Sequence, residues 1–577
     1  MKCNAVAAIL LCLSGTAHAA WDQFEIVQWQ SRNSARLEAL RKLGVTAVSV
    51  VANRDGTGRP LAQSTVAPHA AGLRWYIENI ATDFYSPYHK YTPGKEVNWR
   101  FVETQARLQA NDDGALAREP SLRDPIWRKK IRTRLTNVVT DQKSSHPLYY
   151  SLGDETGIAD LTAFWDFDTS SASLAGFRTW LRSQYASLAA LNEEWGTRFP
   201  TWQAIQPELT RAAMRRTDDN FATWNDFKAW MDTSFTEAVR FGTDTVHRAD
   251  PSALSAIEGA QMPGWGGYDY TKLASAADVI ELYDGGESLP ILRALNPRVI
   301  PLITSFSAGP EEIRQIWKEV LRGVRGLILW DEDDSIVRLD ATPGPRAAGY
   351  APLFAALRGE IGRRMQHARP VYDDVALLYS PVSFRVRWML DHRSDGDAWM
   401  RRSADIENED NAFRVAMRDD MAMLTRKGLR PRIITPEQLA NGPPRQAALF
   451  LPHVLALSDR EIRSIHAFTA RGGKVFADTA PGVFDEHGRR RTTPPVIVSS
   501  SELTMKPTFP IDGEADSYLY RSEGHQMLAL RARTQAAMPV PVKVHLGGHS
   551  ARDIVSGQSV GEDLMLDPIV PIFLEIR

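Results

Sequence analysis

Two adjacent carboxylates, Asp154 and Glu155, follow a short apolar run that begins at Leu148. The run is too short for a typical helix, and its composition is typical of a buried parallel strand. In barrels built from alternating strands and helices, the residues at the carboxyl ends of the strands carry the chemistry. Glu155 is therefore the first candidate for a catalytic residue.

Four further carboxylates lie at or near the ends of predicted strands: Glu258, Glu281, Glu287 and Glu332. Hydrolysis of a glycosidic bond uses two carboxyl groups, which lie about 5 to 5.5 Å apart in enzymes that retain the anomeric configuration. The strand ends of one barrel bring such groups to a common rim, so the sequence predicts glycosidase chemistry with one of these four as the partner of Glu155. The alternative for each is structural, because acids after strands also cap helices and pair with arginines.

Aromatic residues near these strand ends are candidate sugar contacts. The chain contains 16 tryptophans, and an indole ring offers a flat apolar face together with one hydrogen-bond donor. The predicted substrate-binding residues are the aromatic residues Trp165, Trp265, Tyr283 and Trp330, together with the carboxylate Glu332. For any single tryptophan, packing in the core is the alternative.

A metal site is an alternative interpretation of the acidic run from Asp331 to Asp334, because carboxylate oxygens suit a hard cation such as Ca²⁺. Two histidines near strand ends, His89 and His146, are expected to have structural roles rather than catalytic or zinc-binding ones. We predict neither a cofactor nor a bound metal.

The pattern of elements predicts how these residues are positioned. From Trp21 to about residue 365, short apolar runs alternate with helix-like stretches, which is typical of a parallel sheet wrapped by helices. The predicted strands are Phe24 to Trp29, Ala47 to Ala52, Trp75 to Ile80, Leu148 to Leu152, Ala253 to Ile257, Val279 to Leu282, Val299 to Thr304 and Leu327 to Trp330. Eight strands are the number that a closed (β/α)8 TIM barrel needs. The third strand is the weakest of them, since its residues could equally form a helix.

A tryptophan-rich helical stretch from residue 160 to about 248 is far longer than an ordinary connection. It is predicted to be an insertion after the fourth strand, folded over the barrel mouth. A boundary is predicted near His367–Pro370, followed by a smaller doubly wound α/β domain over residues 370–490. Strand-like runs from about residue 500 to 577 predict a small terminal β domain.

The first twenty residues read as a secretory signal peptide, with an apolar core and the small-x-small site Ala17-His18-Ala19. The chain from residue 21 on is therefore expected to be periplasmic or secreted, and no later run is long enough for a membrane span. Both cysteines, Cys3 and Cys12, lie in this segment, so the remainder contains no thiolate nucleophile and no disulfide. A formal net charge of −2 argues against nucleic-acid binding.

The segment from Phe177 to Trp202 closely resembles the pattern that follows the acid/base strand in glycoside hydrolase family 42, the β-galactosidase-like enzymes. The resemblance extends over roughly residues 21–365. In that family the preceding strand ends in Asn-Glu, and the glutamate is the general acid/base. The resemblance therefore implies the acid/base role for Glu155, a sugar-hydroxyl contact for Asp154 in place of the usual asparagine, and a carbohydrate substrate.

Three segments of the second domain also resemble that family: Val375–Pro381, the Leu451-Pro452 pair and Gly472–Asp478. They are similar to its trimerisation domain, which has a glutamine-amidotransferase-like fold. A working amidotransferase of that class needs a nucleophilic cysteine, which the chain lacks beyond residue 20. The resemblance thus implies a structural domain and a homotrimer.

One departure from the family leaves the second carboxylate open. The family's nucleophile is a glutamate at the end of the seventh strand, but here that strand, Val299 to Thr304, has no acid. Glu258 and Glu287 are the preferred substitutes, followed by Glu332. Glu258 has the cleaner strand-end context, whereas Glu287 follows Gly-Gly and could simply begin a helix.

Three functions remain open from the sequence. The leading one is an exported glycoside hydrolase that acts on β-linked glycans or oligosaccharides, most simply with a retaining mechanism. The missing acid on the seventh strand favours an alternative, a catalytically degenerate protein that binds glycans or assists polysaccharide processing. The third is a metal-dependent hydrolase built on the cluster from Asp331 to Asp334.

Overall fold

The computed structural model describes residues 21–29, 34–51, 62–89, 99–159, 165–283, 287–331, 333–401, 410–533 and 538–577. The predicted signal peptide and Glu332 lie outside these described residues.

The first part of the chain is a closed barrel of parallel strands, in which the last strand pairs with the first. Its strands are β1 (Glu25–Gln28), β2 (Ala47–Val51), β3 (Arg74–Glu78), β4 (Tyr150–Ser151), β5 (Ser255–Ala260), β6 (Val279–Leu282), β7 (Ile300–Ser305) and β8 (Gly326–Leu329). The TIM-barrel prediction is confirmed. The third predicted strand is a strand and not a helix, because Trp75 and Ile77 face the surrounding helices while Tyr76 faces the barrel interior.

Helices surround this barrel. Those up to residue 367 are α1 (Ser34–Leu43), α2 (Ala62–Ala70), α3 (Thr82–Tyr85), α4 (Trp99–Gln109), α5 (Pro125–Gln142), α6 (Ser171–Gln184), α7 (Leu188–Trp195), α8 (Thr210–Ala213), α9 (Ala222–Ala249), α10 (Tyr270–Leu273), α11 (Ser288–Leu295), α12 (Gly309–Arg322), α13 (Ala347–Arg358) and α14 (Glu360–His367). Short 3-10 segments cover Asp113–Leu116, Lys143–Ser145 and Trp202–Ala204.

Helix α12 illustrates how the sequence sets the bounds of a barrel helix. Pro310 lies in its first turn, where a missing N–H costs nothing, and Glu311 and Glu312 complement the positive end of the helix dipole. Gly323 follows the last turn with φ 105°, a conformation that glycine adopts without strain.

The predicted insertion after β4 is helical, but its last helix does not lie over the mouth. Helix α9 packs against the outside of the barrel, where the Tyr85 hydroxyl donates to the Ala238 carbonyl at 2.8 Å. On the same outer face, the hydroxyl groups of Thr243 in α9 and Ser255 in β5 form a hydrogen bond of 2.6 Å. For α9, the predicted position over the mouth was therefore wrong.

The second domain is built on a parallel sheet in the order β11-β10-β12-β13. Its strands are β10 (Val375–Leu378), β11 (Arg432–Ile434), β12 (Ala448–Leu451) and β13 (Lys474–Ala477), and its helices are α15 (Pro381–His392), α16 (Ala412–Arg426), α17 (Pro436–Ala440) and α18 (Asp459–Ala470), with a kinked 3-10 segment at Arg393–Arg401. Capping boxes begin two of these helices, with Thr435 paired to Gln438 and Ser458 paired to Glu461.

The last part of the chain forms two β-sheets that share one small core. The strands are β14 (Ile511–Asp512), β15 (Ala515–Ser522), β16 (His525–Ala532), β17 (Val540–Val544), β18 (Ala551–Asp553), β19 (Ser559–Val560), β20 (Asp563–Leu566) and β21 (Ile572–Ile576). Strand β9 (Arg369–Pro370), at the predicted domain boundary, pairs with β15, so the chain leaving the barrel joins this terminal sheet.

In the part of the chain that the structure describes, no helix combines the length and apolar character needed to cross a membrane.

Candidate active site

Strand alternation places a layer of acids inside the carboxyl end of the barrel. Along β5 and β6, Ala256 and Val279 belong to the interior core, and side chains two residues further on point the same way. Glu258 and Glu281 therefore face inward one layer above that core, and Glu78 does so at the end of β3. The relative exposure of all three residues is 4% or less.

Glu155 lies at the rim above this layer, just beyond β4. Its backbone adopts a left-handed conformation with φ 47°. The Tyr283 hydroxyl donates to Glu155 Oε1 at 3.0 Å, and His89 Nε2 contacts Oε2. The carboxyl thus has two partners from other loops, and its side chain keeps 12% exposure toward the mouth.

Gly259 lies against both Glu155 and Glu281. The pairing of β5 with β6 shifts register between Ile257 and Ala260, and Gly259 has φ 61° at this bulge. Its N–H donates to Glu281 Oε2. A Cβ at this position would lie 2.5 Å from Glu155 Cγ and 2.8 Å from the Glu155 backbone, so only glycine fits.

Glu281 combines burial with two hydrogen bonds to its carboxyl group. The Thr304 hydroxyl of β7 donates to Glu281 Oε1 at 2.5 Å, and the Gly259 N–H donates to Glu281 Oε2. Burial, together with the neighbouring charges of Asp154 and Glu155, raises the pKa of Glu281 to about 8, although the two hydrogen bonds lower it. This part of the mouth therefore retains a proton at neutral pH.

Glu258 occupies a more enclosed position within the same layer. It accepts a hydrogen bond from the Tyr149 hydroxyl at 3.1 Å. Burial, followed by the charges of Glu78 and Asp154, holds the pKa of Glu258 well above its usual range. Burial and like charge thus both favour the protonated form of Glu258.

Glu287 is not brought to the mouth with Glu155. It is the N-cap residue of α11, on the outer ring of helices, where its carboxylate pairs with Arg322 at 2.6 Å. Glu287 therefore begins a helix, which was the structural alternative predicted for this residue.

Three aromatic rings form a ledge along the loops after β6, β7 and β8. Tyr283 and Phe306 meet edge to face with centroids 5.4 Å apart, and Phe306 and Trp330 are 5.7 Å apart. Phe306 is 48% exposed, which is unusual for a large apolar side chain. This aromatic ledge (Tyr283, Phe306 and Trp330) is joined to Glu155 through the Tyr283 hydroxyl.

The other two predicted aromatic contacts are packed within the protein. Trp165 stacks on Phe101 at 5.0 Å and is 3% exposed. Trp265, 4% exposed, packs on Phe384 and Trp388 of α15, where the barrel meets the second domain. Both rings already have their faces covered by other aromatic rings.

The remaining predicted polar residues have defined surroundings. Asp154 is 9% exposed, and its carbonyl accepts a hydrogen bond from Ser86 Oγ at 2.5 Å. Asp331 accepts hydrogen bonds from Ser335 N–H and Oγ, and Asp334 pairs with Arg36 at 2.6 Å. Among the described residues, no three or more histidine and acidic side chains are grouped so that they could hold a metal ion.

The segment that carries the family resemblance, Phe177 to Trp202, contacts α9 and the second domain. The Tyr185 hydroxyl and the Trp195 indole both donate to Asp226 Oδ2, at 2.5 and 2.8 Å. His487 Nδ1 lies 2.8 Å from Asp226 Oδ1, and its ring stacks on Tyr185. These conspicuous residues of the motif join two domains.

Sequence reasoning missed three residues of the mouth: His89, Gly259 and Phe306. His89 was expected to be structural, yet it contacts Glu155. Gly259 had a usable signal, because a glycine inside a strand pattern indicates a bulge. Phe306 directly follows β7, so its position after a strand end was also readable.

The chain is similar to known proteins at two levels. Residues 113–284 match the model of glycoside hydrolase family 42, which is described as Beta-galactosidase. No curated protein matches the sequence.

Solved structures share the fold over almost the whole chain at low sequence identity. A catalytic mutant of a GH42 β-galactosidase from G. stearothermophilus has a TM-score of 0.69 at 13% identity, covering 96% of this chain and 98% of its own. The β-galactosidase from Bacillus circulans sp. alkalophilus gives 0.67 at 13% identity, with coverage of 96% and 99%. The exo-carrageenase GH42 from Bacteroides ovatus gives 0.62 at 13% identity, with coverage of 96% and 83%.

Proposed function

We propose that the chain is a divergent member of glycoside hydrolase family 42, whose model matches residues 113–284, and that it cleaves β-linked galactosides or related β-glycosides with retention of configuration. The observation that carries the proposal is that Glu155 and Glu281 both lie against Gly259. Glu155 acts as the general acid/base, as the resemblance implies. Glu281, from β6, replaces the acid that β7 lacks.

The first step forms a covalent intermediate. A carboxylate oxygen of Glu281 attacks the anomeric carbon, the bond from that carbon to the leaving oxygen breaks, and Glu155 gives its proton to the leaving oxygen. The donors from Gly259 and Thr304 stabilise the ionised form of Glu281, and the positive charge that develops on the sugar favours it further.

The second step restores both carboxyl groups. Water attacks the anomeric carbon, its proton passes to Glu155, and the ester bond to Glu281 breaks. The cycle requires one proton for the two carboxyl groups. The pKa of about 8 at Glu281 means that below pH 8 Glu281 holds this proton in the empty site, so the proton must move to Glu155 before the attack.

The sugar ring is proposed to stack on the aromatic ledge. Phe306 offers the exposed apolar face, and Tyr283 connects the ledge to the acid/base residue. Asp154 is proposed to contact a sugar hydroxyl. Trp165 and Trp265 are left out of this site because their rings are covered.

Purified protein assayed on a panel of aryl β-glycosides tests the proposal, with β-galactosides as the first substrates. We expect turnover, a β-anomer as the first product by proton NMR, and a loss of about 10²- to 10⁴-fold in kcat/KM in Glu155→Gln. The Arg445→Gln variant, an exposed substitution in the second domain, is the control for purification and folding. Equal activity in Glu155→Gln would remove the role assigned to that residue.

A second candidate function is a glycan-binding protein without turnover. The observation that favours it is β7, where Thr304 and Ser305 stand at the strand end and no acid is present. Saturable binding of the same glycans by calorimetry, with no product after prolonged incubation, would establish this alternative in place of hydrolysis.

Export and trimer formation complete the proposal. The segment 1–20 supports cleavage by a signal peptidase, which amino-terminal sequencing of periplasmic or secreted protein tests. The amidotransferase-like sheet supports a homotrimer, which light scattering coupled to size exclusion tests. A monomer at micromolar concentration would contradict the second of these.

A further inference from the structure

A cavity of about 570 Å³ lies where the barrel, the second domain and the terminal sheets meet. Helices α11, α12 and α14 line it from the barrel, α16 and β11 from the second domain, and β15 and β16 from the terminal sheet. We call it the junction cavity. Its volume lies within the range of small-molecule sites, and domain junctions are common places for such sites.

The lining of the junction cavity is strongly basic. Among the described residues, eight arginines and lysines line it, against two carboxylates, Glu287 and Asp516. Glu287 pairs with Arg322 at 2.6 Å, and Asp516 is shared by Arg531 and Arg533 at 2.6 and 2.9 Å. Three of the eight cationic side chains, Arg322, Arg531 and Arg533, therefore pair with the two acids of the lining.

Arg293 adds a buried positive charge to the lining. Arg293 is 7% exposed and donates to two backbone carbonyls, those of Pro297 at 3.1 Å and Val299 at 3.4 Å. Burial lowers the pKa of Arg293, which reports the cost of holding its charge there. A guanidinium keeps its proton in proteins, so an anion in the cavity would offset part of this cost.

Three buried donors of the lining have no acceptor among the described residues. They are Arg430 Nη1, Arg531 Nε and Ser517 Oγ. Arg430 already binds Asp373 through two other nitrogens, at 2.8 and 2.9 Å, so its remaining donor points elsewhere. Buried donors of this kind are normally satisfied, and they belong to two different domains.

We infer that the junction cavity binds a small ligand through an oxyanion group, a sulfate, phosphate or carboxylate. Guanidinium groups recognise such oxygens with paired hydrogen bonds. The ligand would connect arginines of the second domain and the terminal sheet with those of the barrel. The site is independent of Glu155 and of the glycosidase chemistry.

Calorimetry and thermal melting test the inference, with sodium sulfate, sodium phosphate and sodium glucuronate as separate probes against sodium chloride at equal ionic strength. We expect one of these oxyanions to bind with millimolar or tighter affinity and to raise Tm by several degrees. The probe that binds identifies the oxyanion. If no probe binds more tightly than chloride, the inference is overturned.

Variants separate specific binding from the general stabilisation that sulfate and phosphate give all proteins. Arg531→Gln is expected to weaken binding at least tenfold. Arg426→Gln, an exposed residue of the lining, provides a variant that folds if the buried one does not, with an expected weakening of about threefold. Arg445→Gln and Glu155→Gln should bind as the wild type does, and unchanged binding in Arg426→Gln and Arg531→Gln would overturn the inference.

Discussion

The barrel mouth collects carboxylates, whereas the junction cavity collects arginines, and the two regions deal with like charge in different ways. At the mouth, burial raises the pKa of Glu281 to about 8, so the carboxyl group relieves its charge by keeping a proton. In the cavity, Arg293 is also buried, but a guanidinium cannot give up its proton near neutral pH. The first region is suited to proton chemistry, and the second is suited to anion binding.

The comparison also explains why bulk charge is a poor guide to this molecule. The formal net charge of −2 averages an acidic mouth and a basic cavity that lie in different parts of the fold. Function therefore depends on where the charges are placed and on whether they can titrate.

The largest expected effect comes from removing the proposed nucleophile. Glu281→Gln should lower kcat/KM by about 10³-fold or more, because the covalent step loses its attacking oxygen. Lys318→Gln removes a charge from the junction cavity and should leave kcat/KM unchanged. Steady-state kinetics on an aryl β-galactoside check both, and a Glu281→Gln activity within tenfold of wild type would end the assignment.

The pH dependence of stability should differ between the two regions. The folded pKa of Glu281, about 8, lies above its ordinary value of 4.5, so the stability linked to its proton is complete below pH 4.5 and lost as pH rises through 8. Glu281→Gln cannot ionise, so its stability relative to wild type should increase over that window, by a few kcal/mol. Urea unfolding at pH 5, 7 and 9 measures this difference.

The corresponding control lies in the cavity. Lys318→Gln should show no such trend with pH between 5 and 9, because the substitution leaves Glu281 and its surroundings unchanged. A constant difference between Glu281→Gln and wild type across the same range would show that Glu281 does not carry the raised pKa.

Gly259 tests whether the two carboxylates of the mouth depend on one residue. Gly259→Ala should lower the free energy of unfolding by about 2 to 3 kcal/mol and reduce activity, because a Cβ meets Glu155 and φ is positive. Gly472→Ala also has positive φ, 92°, but meets nothing within 4 Å, so it should cost only about 1 kcal/mol. Similar losses of unfolding free energy in both variants would show that the close approach of Glu155 to position 259 does not contribute to the effect.

The smallest expected effect concerns the uncharged part of the mouth. Phe306→Ala removes the exposed face of the aromatic ledge and should raise KM by up to about tenfold, equivalent to about 1.4 kcal/mol, with little change in kcat. Initial-rate kinetics separate the two constants. A fall in kcat without a change in KM would place the sugar elsewhere.

The barrel could be predicted from the sequence because its strands are short apolar runs with turns between them. The predicted strand Val279 to Leu282 coincides with β6, and the others agree within a few residues, except that β4 covers only Tyr150–Ser151. Glu281 was visible as a strand acid, and counting inward positions along β6 would have favoured it. Glu287 ranked higher from the sequence, although its position after Gly-Gly already suited the start of a helix.

The rest of the site could not be predicted from the sequence because it depends on contacts between segments that are distant along the chain. His89 and Tyr283 reach Glu155 from loops far away in the chain. The junction cavity joins residues from three separate parts of the chain, so no local pattern indicates it. The motif from Phe177 to Trp202 carries the resemblance to glycoside hydrolase family 42, but its conspicuous residues join domains through Asp226 and His487.

Chemical rescue with azide tests the pairing of Glu155 and Glu281 most directly. With an activated aryl β-glycoside, Glu281→Ala should be rescued by azide and release the α-glycosyl azide, because azide attacks from the side that the nucleophile occupied. Glu155→Ala should release the β-glycosyl azide, because the covalent intermediate on Glu281 still forms. A β-glycosyl azide from Glu281→Ala, or an α-glycosyl azide from Glu258→Ala instead, would contradict the account.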